Sequence, residues 1–466
     1  MKRVLIIGSD FVPSSLPPAT RIRFFASHLS EFGWEPIVLT TKSEFYDWPT
    51  DPENERLLSD SLSVIRTDAW RTSWTRKLGV GDIGMRSLWK HWQVLKKLCR
   101  EKQVDLIFIP VPPYVPMILG RMAHKKFGIP YVIDYIDPWV TEYYWKLPRR
   151  QRPPKWPLAY AMARLLEPYA LKHVAHITGV SRGTTDSVVS RYDWLSENDA
   201  SEIPYGAEAD DFEFVRRNPR ENLIFDPHDG LLHFSYIGAC IPGMYPAVRA
   251  LFQAVRLGLE HSPEIFKRVR FHFVGTSYAP KGDVVQGVTG IAQELGLSAL
   301  VNEQSQRVPY LDSLQLMLDS DALLLIGSDE AHYSASKVFP YLLAQRPLVS
   351  IFHESSSVNA VLKAVGREDE TVTFNADNPP PKRVEQIYRV MQRAFTRGPE
   401  NNASDNLAML EPYTTRSMAQ RLAKSFDRAC SRNSEMTGAM VPGEYQKLQK
   451  VGNNDGQQQP AEGISS

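Results

Sequence analysis

Residues 333–349 read YSASKVFPYLLAQRPLV and follow the apolar run Ala322–Ile326. The run predicts a buried strand, and the longer stretch predicts a helix with Lys337 in its first turn, a break and a second strand. A helix start offers unpaired N–H groups and the positive end of a dipole, and a lysine there adds a point charge. These features favour a phosphate site. The alternative is an exposed lysine on an ordinary helix.

The same alternation of strand and helix runs through most of the chain. Short apolar runs predict strands at Val4–Ile7, Pro36–Thr40, Val64–Thr67, Leu106–Ile109, Tyr131–Tyr135, His176–Val180, His233–Ile237, Val269–Val274, Ala322–Ile326, Leu348–Phe352 and Thr371–Phe374. Helical patterns lie between them, as at Arg21–Phe32, Met85–Arg100, Val115–Phe127 and Pro157–Lys172. Such alternation is typical of βαβ units, so we expect an α/β fold with doubly wound parallel sheets.

The alternation pauses over residues 213–230, which are rich in proline and charge. We place a linker there, between an N-terminal Rossmann-like domain and a C-terminal one that face each other across a cleft. A further helix is expected to pack back across the domains, and the polar tail to be disordered. The predicted boundaries are 1–212, 213–230, 231–405, 406–432 for the helix and 433–466 for the tail.

Composition excludes several classes of protein. The chain has 466 residues, 43% of them hydrophobic, and a net charge of +1, so nothing global indicates nucleic-acid binding. Three cysteines are too few for a disulfide framework or a spaced zinc site. The apolar start is too short for a signal-peptide core, and no run is long enough to span a bilayer. We therefore expect a cytoplasmic protein.

The first strand ends in Gly8-Ser9-Asp10-Phe11, followed by prolines and a helix near Arg21. This is not the G-x-G-x-x-G fingerprint, which argues against an NAD-linked oxidoreductase. A stiff loop at this strand end either lines a substrate cleft or is purely structural.

The fifth strand runs into Asp134–Trp139 (DYIDPW). Pro138 keeps Asp137 out of helical geometry, which leaves its carboxylate at a strand end, where ligand contacts are common. The alternative role of Asp134 or Asp137 is helix capping.

Two stretches mix aromatic and basic residues. Residues 139–156 hold many of both and several prolines, and they suit either an anionic membrane surface or a solvated loop. The helix Met85–Arg100 has an apolar face between basic residues, and packing on the sheet is the favoured use of that face over membrane docking.

The strand His233–Ile237 ends in a loop that begins with Gly238. Small residues there let the backbone approach a ligand, and loops at strand ends of one sheet can converge with the Lys337 segment.

Together these stretches resemble the family 4 glycosyltransferases, which have the GT-B fold. The resemblance covers roughly residues 1–430. The matching motifs are Val4–Gly8 with its proline-rich loop, Asp134–Trp139 against a D-x-R-D-P-W element, Thr178–Ser181, Ile203–Glu208 with Asp211-Phe212, Tyr236–Gly238, and Ser336–Pro347 against x-K-x-F-E-Y-L-A-x-x-R-P.

The resemblance implies retaining transfer of a sugar from a nucleotide diphosphate donor to a hydroxyl acceptor, without a cofactor or a metal ion. It places the donor in the C-terminal domain, with Gly238, Ser336, Lys337 and Glu330 as candidate contacts. It places the acceptor in the N-terminal domain, for which we select Asp10, Arg21 and Trp139. Lys337 would pair with the diphosphate and Asp137 would face the reacting sugar, so these two are the catalytic candidates.

Two positions depart from the family pattern. Pro340 stands where the family has a ribose-binding glutamate, whose earlier partner falls near His332, and Ile136 stands where the branch has arginine. Glu330 is the candidate substitute.

The leading hypothesis is a glycosyltransferase of surface polysaccharide or glycolipid synthesis, with a lipid-linked or saccharide acceptor and peripheral contact with the anionic inner face of the cell membrane. The alternative is a catalytically inactive GT-B protein that binds nucleotide or glycan, or scaffolds polysaccharide assembly.

Overall fold

A computed structural model describes residues 1–146, 149–153, 155–277, 287–330, 335–397 and 409–439. The chain forms two compact units, each built on a parallel sheet. Unit 1 comprises residues 1–204 and the chain from Met418 onward, and unit 2 comprises residues 205–417. The predicted α/β fold with two Rossmann-like domains is confirmed.

The sheet of unit 1 has seven strands in the order β3-β2-β1-β4-β5-β6-β7, all paired in parallel. The strands are β1 (Lys2–Ile7), β2 (Trp34–Thr41), β3 (Ser63–Thr67), β4 (Leu106–Val111), β5 (Tyr131–Tyr135), β6 (His176–Gly179) and β7 (Ala200–Glu202). Strands β1, β4 and β5 are buried along most of their length, as expected for a sheet covered on both faces.

The sheet of unit 2 has six strands in the order β10-β9-β8-β11-β12-β13, again in parallel. These are β8 (Leu232–Ile237), β9 (Val269–Val274), β10 (Val301–Gln304), β11 (Ala322–Ile326), β12 (Leu348–His353) and β13 (Thr371–Phe374). Both sheets therefore reverse their order next to the first strand of the unit, beside β4 in unit 1 and β11 in unit 2.

The described α-helices are α1 (Pro17–His28), α2 (Thr72–Thr75), α3 (Ile83–Arg100), α4 (Met117–Phe127), α5 (Tyr143–Lys146), α6 (Trp156–Leu171), α7 (Arg182–Val189), α8 (Ala209–Arg217), α9 (Tyr245–His261), α10 (Pro263–Phe266), α11 (Val288–Glu294), α12 (Tyr310–Asp319), α13 (Val338–Ala344), α14 (Ser357–Ala364), α15 (Val384–Thr396) and α16 (Thr415–Ala439). In that part of the chain, none is long and apolar enough to cross a membrane. The apolar face of α3 packs inward through Trp92, Leu95 and Leu98, as the sequence favoured.

The chain enters unit 2 earlier than the predicted linker at 213–230. Helix α8 packs on α12 and α13, and Tyr310 donates a hydrogen bond to Asp211 over 2.7 Å. These contacts make residues 209–217 part of unit 2, so the change of unit falls after Pro204.

The C-terminal helix α16 completes the core of unit 1. Phe426 contacts Trp34 and Phe108 edge to face, with ring centroids 5.2 and 5.3 Å apart, and Leu422 is buried beside them. The predicted tail begins inside this helix, which continues to Ala439, and residues 440–466 lie outside the described part of the chain.

Candidate functional site

The carboxyl edge of the unit 2 sheet brings two loops together where the strand order reverses. Strands β8 and β11 are neighbours, and the loops that follow them begin at Gly238 and Gly327. In doubly wound sheets the chain leaves such a pair of strands in opposite directions, which opens a crevice for ligands. The Gly238 loop and the Lys337 segment both belong to this edge.

The ammonium group of Lys337 lies buried between these loops. Among the residues that the structure describes, its Nζ has no hydrogen-bond partner, and it lies 3.7 Å from the ring centroid of Tyr236. Burial lowers the pKa of Lys337 to about 7, the thiol of Cys240 opposes that shift, and the guanidinium of Arg307 adds to it. A cation–π contact supports the charge but accepts none of the three N–H bonds of an ammonium. The group is therefore arranged to receive an anion.

Two features bring the Lys337 segment and the end of β8 close together. The hydroxyl of Tyr341, one turn further along α13, accepts a hydrogen bond of 2.8 Å from the backbone N–H of Ile237 at the end of β8. Gly238 has φ +125°, and a Cβ built there would lie 3.0 Å from the Lys337 Nζ. The backbone conformation at 238 favours glycine, and a side chain there would press on the ammonium of Lys337 and shift it.

The start of α13 differs from the expected anion-binding helix terminus. The N–H groups of Val338 and Phe339 donate to the carbonyl oxygens of Ala335 and Ser336, and Pro340 has no N–H. Lys337 itself precedes the first helical residue. The first amides of this short helix are therefore occupied, and the lysine side chain is the group left to bind an anion.

Ser336 and Glu330, the other predicted donor contacts, are both exposed. The Glu330 N–H donates to the hydroxyl of Ser328, and the neighbouring Asp329 N–H donates to the Gly243 carbonyl oxygen, which ties this loop to the one after β8. Their roles stay predictions. The position near His332 lies outside the described residues.

Sequence reasoning missed three groups around Lys337. Tyr236 supplies the ring under the ammonium, and Arg307 acts on its pKa from the loop after β10. Burial raises the pKa of the Cys240 thiol to about 12, so it is uncharged. A buried aromatic residue in a strand, such as Tyr236, gives no sign in the sequence that it lies near a ligand, because only the sheet topology brings it under Lys337.

Arg21, a predicted acceptor contact, is completely buried in unit 1. Its guanidinium donates to both carboxylate oxygens of Asp134, at 2.6 and 2.9 Å, and to the carbonyl oxygen of Ile203. Thr178 also donates to Asp134, over 2.7 Å. The structure thus gives Arg21 and Asp134 an internal role that joins α1, β5 and β6, and it leaves Arg21 no surface for an acceptor.

Asp10 follows β1 at the point where the unit 1 sheet reverses its order. The residue is buried, and the Ser14 hydroxyl donates to its carboxylate over 2.8 Å. Burial raises the pKa of Asp10 to about 6, against the opposing effect of that hydrogen bond. Its acceptor role stays a prediction.

Asp137 and Trp139 lie in the loop after β5, and their surroundings differ. Asp137 is exposed, although desolvation by its neighbours raises the pKa of its carboxyl above the ordinary value. Trp139 is buried and stacks on Tyr114 of the loop after β4, with 5.3 Å between ring centroids. The Tyr114 hydroxyl donates to the Asp137 carbonyl oxygen over 3.2 Å, so Trp139 and Tyr114 hold this loop in place.

Metal ligands do not gather in any part of the chain that the structure describes: no three His, Cys, Asp or Glu side chains come together there.

Comparison with known proteins finds a family match for the N-terminal region. Residues 18–206 match the family described as glycosyl transferase 4-like domain. No curated protein matches the chain.

Solved structures of similar fold cover nearly the whole chain. HepE of Anabaena, in complex with UDP and glucose, has a TM-score of 0.57 at 12% identity, over 92% of this chain and 100% of that one. A UDP-forming α,α-trehalose-phosphate synthase from Burkholderia xenovorans has a TM-score of 0.53 at 13% identity, over 92% and 99%. The N-terminal domain of Candida albicans trehalose-6-phosphate phosphatase has 0.54 at 14%, over 92% and 97%. Residues 18–206 therefore resemble the glycosyl transferase 4-like domain family, and the two Rossmann-like units of the chain share the GT-B fold of these solved structures.

Proposed function

We propose that this protein is a retaining glycosyltransferase that moves a sugar from a nucleotide diphosphate sugar to a hydroxyl acceptor. The observation that carries the proposal is the buried ammonium of Lys337, which lies at the sheet edge where such folds bind ligands and has no hydrogen-bond partner in the described part of the chain. Neighbours of the same fold were solved with UDP or a UDP-sugar, which supports a UDP-sugar as the first donor to test.

In this proposal Lys337 acts on the leaving group. The bond between the anomeric carbon and the diphosphate oxygen breaks, and the negative charge that develops on that oxygen is stabilised by the ammonium. The acceptor oxygen bonds to the anomeric carbon on the same face of the sugar, and its proton passes to the departing diphosphate oxygen on that face. Attack by the acceptor on the same face retains the configuration without an enzyme nucleophile, and the ammonium supplies the positive charge that a metal ion would otherwise provide.

The acceptor side is assigned to unit 1. Asp137 is the proposed contact of the reacting sugar, with Trp139 holding its loop, and Asp10 is a proposed acceptor contact. We propose a saccharide or lipid-linked acceptor in the synthesis of a surface polysaccharide or glycolipid, with peripheral contact between the protein and an anionic membrane.

A second candidate is a GT-B protein that binds a nucleotide or glycan without catalysis. Two residues favour this non-catalytic candidate. Pro340 stands where the family 4 glycosyltransferases have a glutamate for the donor ribose, and Ile136 stands where the resembling branch has arginine.

Thermal unfolding with UDP-, GDP-, TDP- and ADP-sugars separates these candidates when it is followed by assays of donor hydrolysis and transfer. A ligand that binds only the native state increases the free energy of unfolding, by about 2.7 kcal/mol at a ligand concentration of a hundred times its Kd, and so raises the melting temperature. The transferase proposal expects one donor class to stabilise the protein and to be turned over. Stabilisation without turnover for every acceptor tested supports the binding protein, and no stabilisation by any of them contradicts both.

A further inference from the structure

Helix α6 exposes an apolar stripe on its outward face. Leu158, Leu165 and Tyr169 are 73%, 72% and 46% exposed. Their spacing of seven and four residues aligns them on one side of the helix, with the exposed Ala161 between them. Single exposed leucines are ordinary, whereas an aligned apolar series on a helix indicates a surface that contacts something other than water.

Positive charge surrounds this stripe. Residues 142–172 contain seven Lys and Arg and two Asp and Glu, whereas the whole chain has a net charge of +1. The exposed Lys155 and Lys172 fall at the two ends of the stripe by helical spacing. One of the two acids, Glu167, is fully buried and ion-paired with Arg191 at 2.6 Å, so it does not offset the outward charge.

Aromatic residues pack against the inward side of α6 at its start, where Tyr160 contacts the core of unit 1. Trp145 is 45% exposed and contacts Tyr160 of α6 edge to face, with 5.7 Å between ring centroids. The guanidinium of Arg152 lies 5.3 Å from the Trp145 ring and donates to its carbonyl oxygen over 2.7 Å. Trp145 and Arg152 thus support the start of α6 from its inward side, which leaves the stripe on the outward side uncovered by them.

The inward side of α6 holds the loop that carries Asp137. Glu167 accepts hydrogen bonds from the hydroxyls of Tyr135 and Tyr192 as well as from Arg191. Arg191 also donates to the carbonyl oxygen of Val140, over 2.8 Å. Because this network is buried and paired, the position of α6 determines where the loop from Asp137 to Val140 lies.

We propose that the outward face of α6 docks on an anionic lipid bilayer and so brings the Asp137 loop to acceptors anchored in that bilayer. An interfacial helix inserts its apolar side chains at the headgroup boundary while neighbouring cations meet anionic headgroups. The docking itself follows from the α6 surface alone, and the delivery of an acceptor rests on the proposed function.

Sedimentation of the full chain with vesicles tests the docking. Wild-type protein is expected to bind vesicles of phosphatidylcholine mixed with phosphatidylglycerol, to bind phosphatidylcholine alone far more weakly, and to be released by high salt. The double variant Leu158→Glu/Leu165→Glu should lower the partition coefficient by at least about tenfold. Leu223→Glu is the matched control, because Leu223 is 71% exposed but lies in unit 2, and it should bind like the wild type.

Equal binding by the double variant and the control would overturn the proposal, as would binding that salt does not weaken. The proposal would also be overturned if the wild-type protein did not bind anionic vesicles but formed a dimer that the double variant loses. Unchanged melting temperatures show that the variants fold. Because UDP-glucose binding is measured separately on the same proteins, loss of docking with donor binding intact is distinguishable from failure of the proposed transferase activity.

Discussion

Two buried cations in this chain have opposite surroundings. Arg21 is fully enclosed and forms a two-bonded ion pair with Asp134, so its charge is neutralised inside unit 1. Lys337 buries an ammonium over the Tyr236 ring, and no described residue accepts a hydrogen bond from it. A buried cation without a partner destabilises a fold, and such groups concentrate at functional sites. The contrast separates the structural charge of Arg21 from the charge that we propose binds a ligand, and the buried ammonium shows that Lys337 is not an ordinary exposed lysine.

Replacing Gly238 by alanine should disturb Lys337 directly. The added Cβ would meet the ammonium at 3.0 Å, and φ +125° strains any side chain there. We expect UDP-glucose affinity to fall by about tenfold or more, and stability to fall by about 1 kcal/mol. Gly296→Ala is the control, since φ is +72° there but nothing lies within 4 Å. Equal losses of affinity in both variants would show that strain, and not the lysine contact, is responsible.

Donor binding should depend on pH through Lys337. In the ligand-free protein the pKa of Lys337 is about 7, so the side chain is charged below that pH and loses its proton above it. A bound diphosphate raises this pKa, so affinity for UDP-glucose should be constant below pH 7 and fall by up to about tenfold per pH unit above it. Calorimetry across pH measures this. Lys337→Arg keeps its charge throughout and should lose the dependence, whereas an unchanged slope would assign it to another group.

At the scale of elements, apolar periodicity predicted eleven strands at close to their observed positions and omitted β7 and β10. Both omitted strands lie at sheet edges and read ASE and VNEQ, so they lack the apolar run that marks a buried strand. The sequence predicted unpaired amides at the start of the helix that carries Lys337. In the structure the N–H groups of Val338 and Phe339 donate to carbonyl oxygens of the preceding turn, which the sequence does not reveal. Local patterns determine the elements, whereas hydrogen bonding between them depends on tertiary packing.

Asp134 joins three elements of unit 1, and its loss should be costly. Asp134→Ala leaves the guanidinium of Arg21 buried and uncompensated, which typically costs about 3–5 kcal/mol. The double variant Arg21→Met/Asp134→Leu removes both charges and should lose much less. Urea unfolding of both variants and the wild type measures the difference. A double variant as unstable as the single one would mean that the hydrogen bonds of Thr178 and Ile203, and not the charge pair, dominate.

At the scale of the whole molecule, the order and spacing of loose motifs predicted two Rossmann-like units, which is the architecture observed. Residue roles were less predictable. Arg21 lies in a helix after a candidate ligand loop, and only the three-dimensional fold shows that it faces Asp134 from a position 113 residues away in sequence. Asp137, Glu330 and Ser336 lie on exposed segments, where position alone does not establish a contact.

Acid should destabilise both units. Burial lowers the pKa of His91 and His176 in unit 1 and of His272 in unit 2, each to about 4. The unfolded chain binds these protons at the ordinary pKa of about 6.5, so stability is complete above that pH and is lost as pH falls towards 4. Melting temperatures between pH 7 and 4 test this. His272→Gln should reduce the slope for unit 2, and an unaltered slope would contradict the role of this histidine.

The central claim is that the ammonium of Lys337 binds the diphosphate of a nucleotide sugar. The most direct test is calorimetric titration of UDP-glucose into the wild type, Lys337→Ala and Lys363→Ala, since Lys363 is an exposed lysine of the same unit. A charge-assisted contact contributes about 1.5–3 kcal/mol, so Lys337→Ala should weaken binding by roughly tenfold to a hundredfold, with Lys363→Ala unchanged. Equal affinity of the wild type and Lys337→Ala would contradict the account.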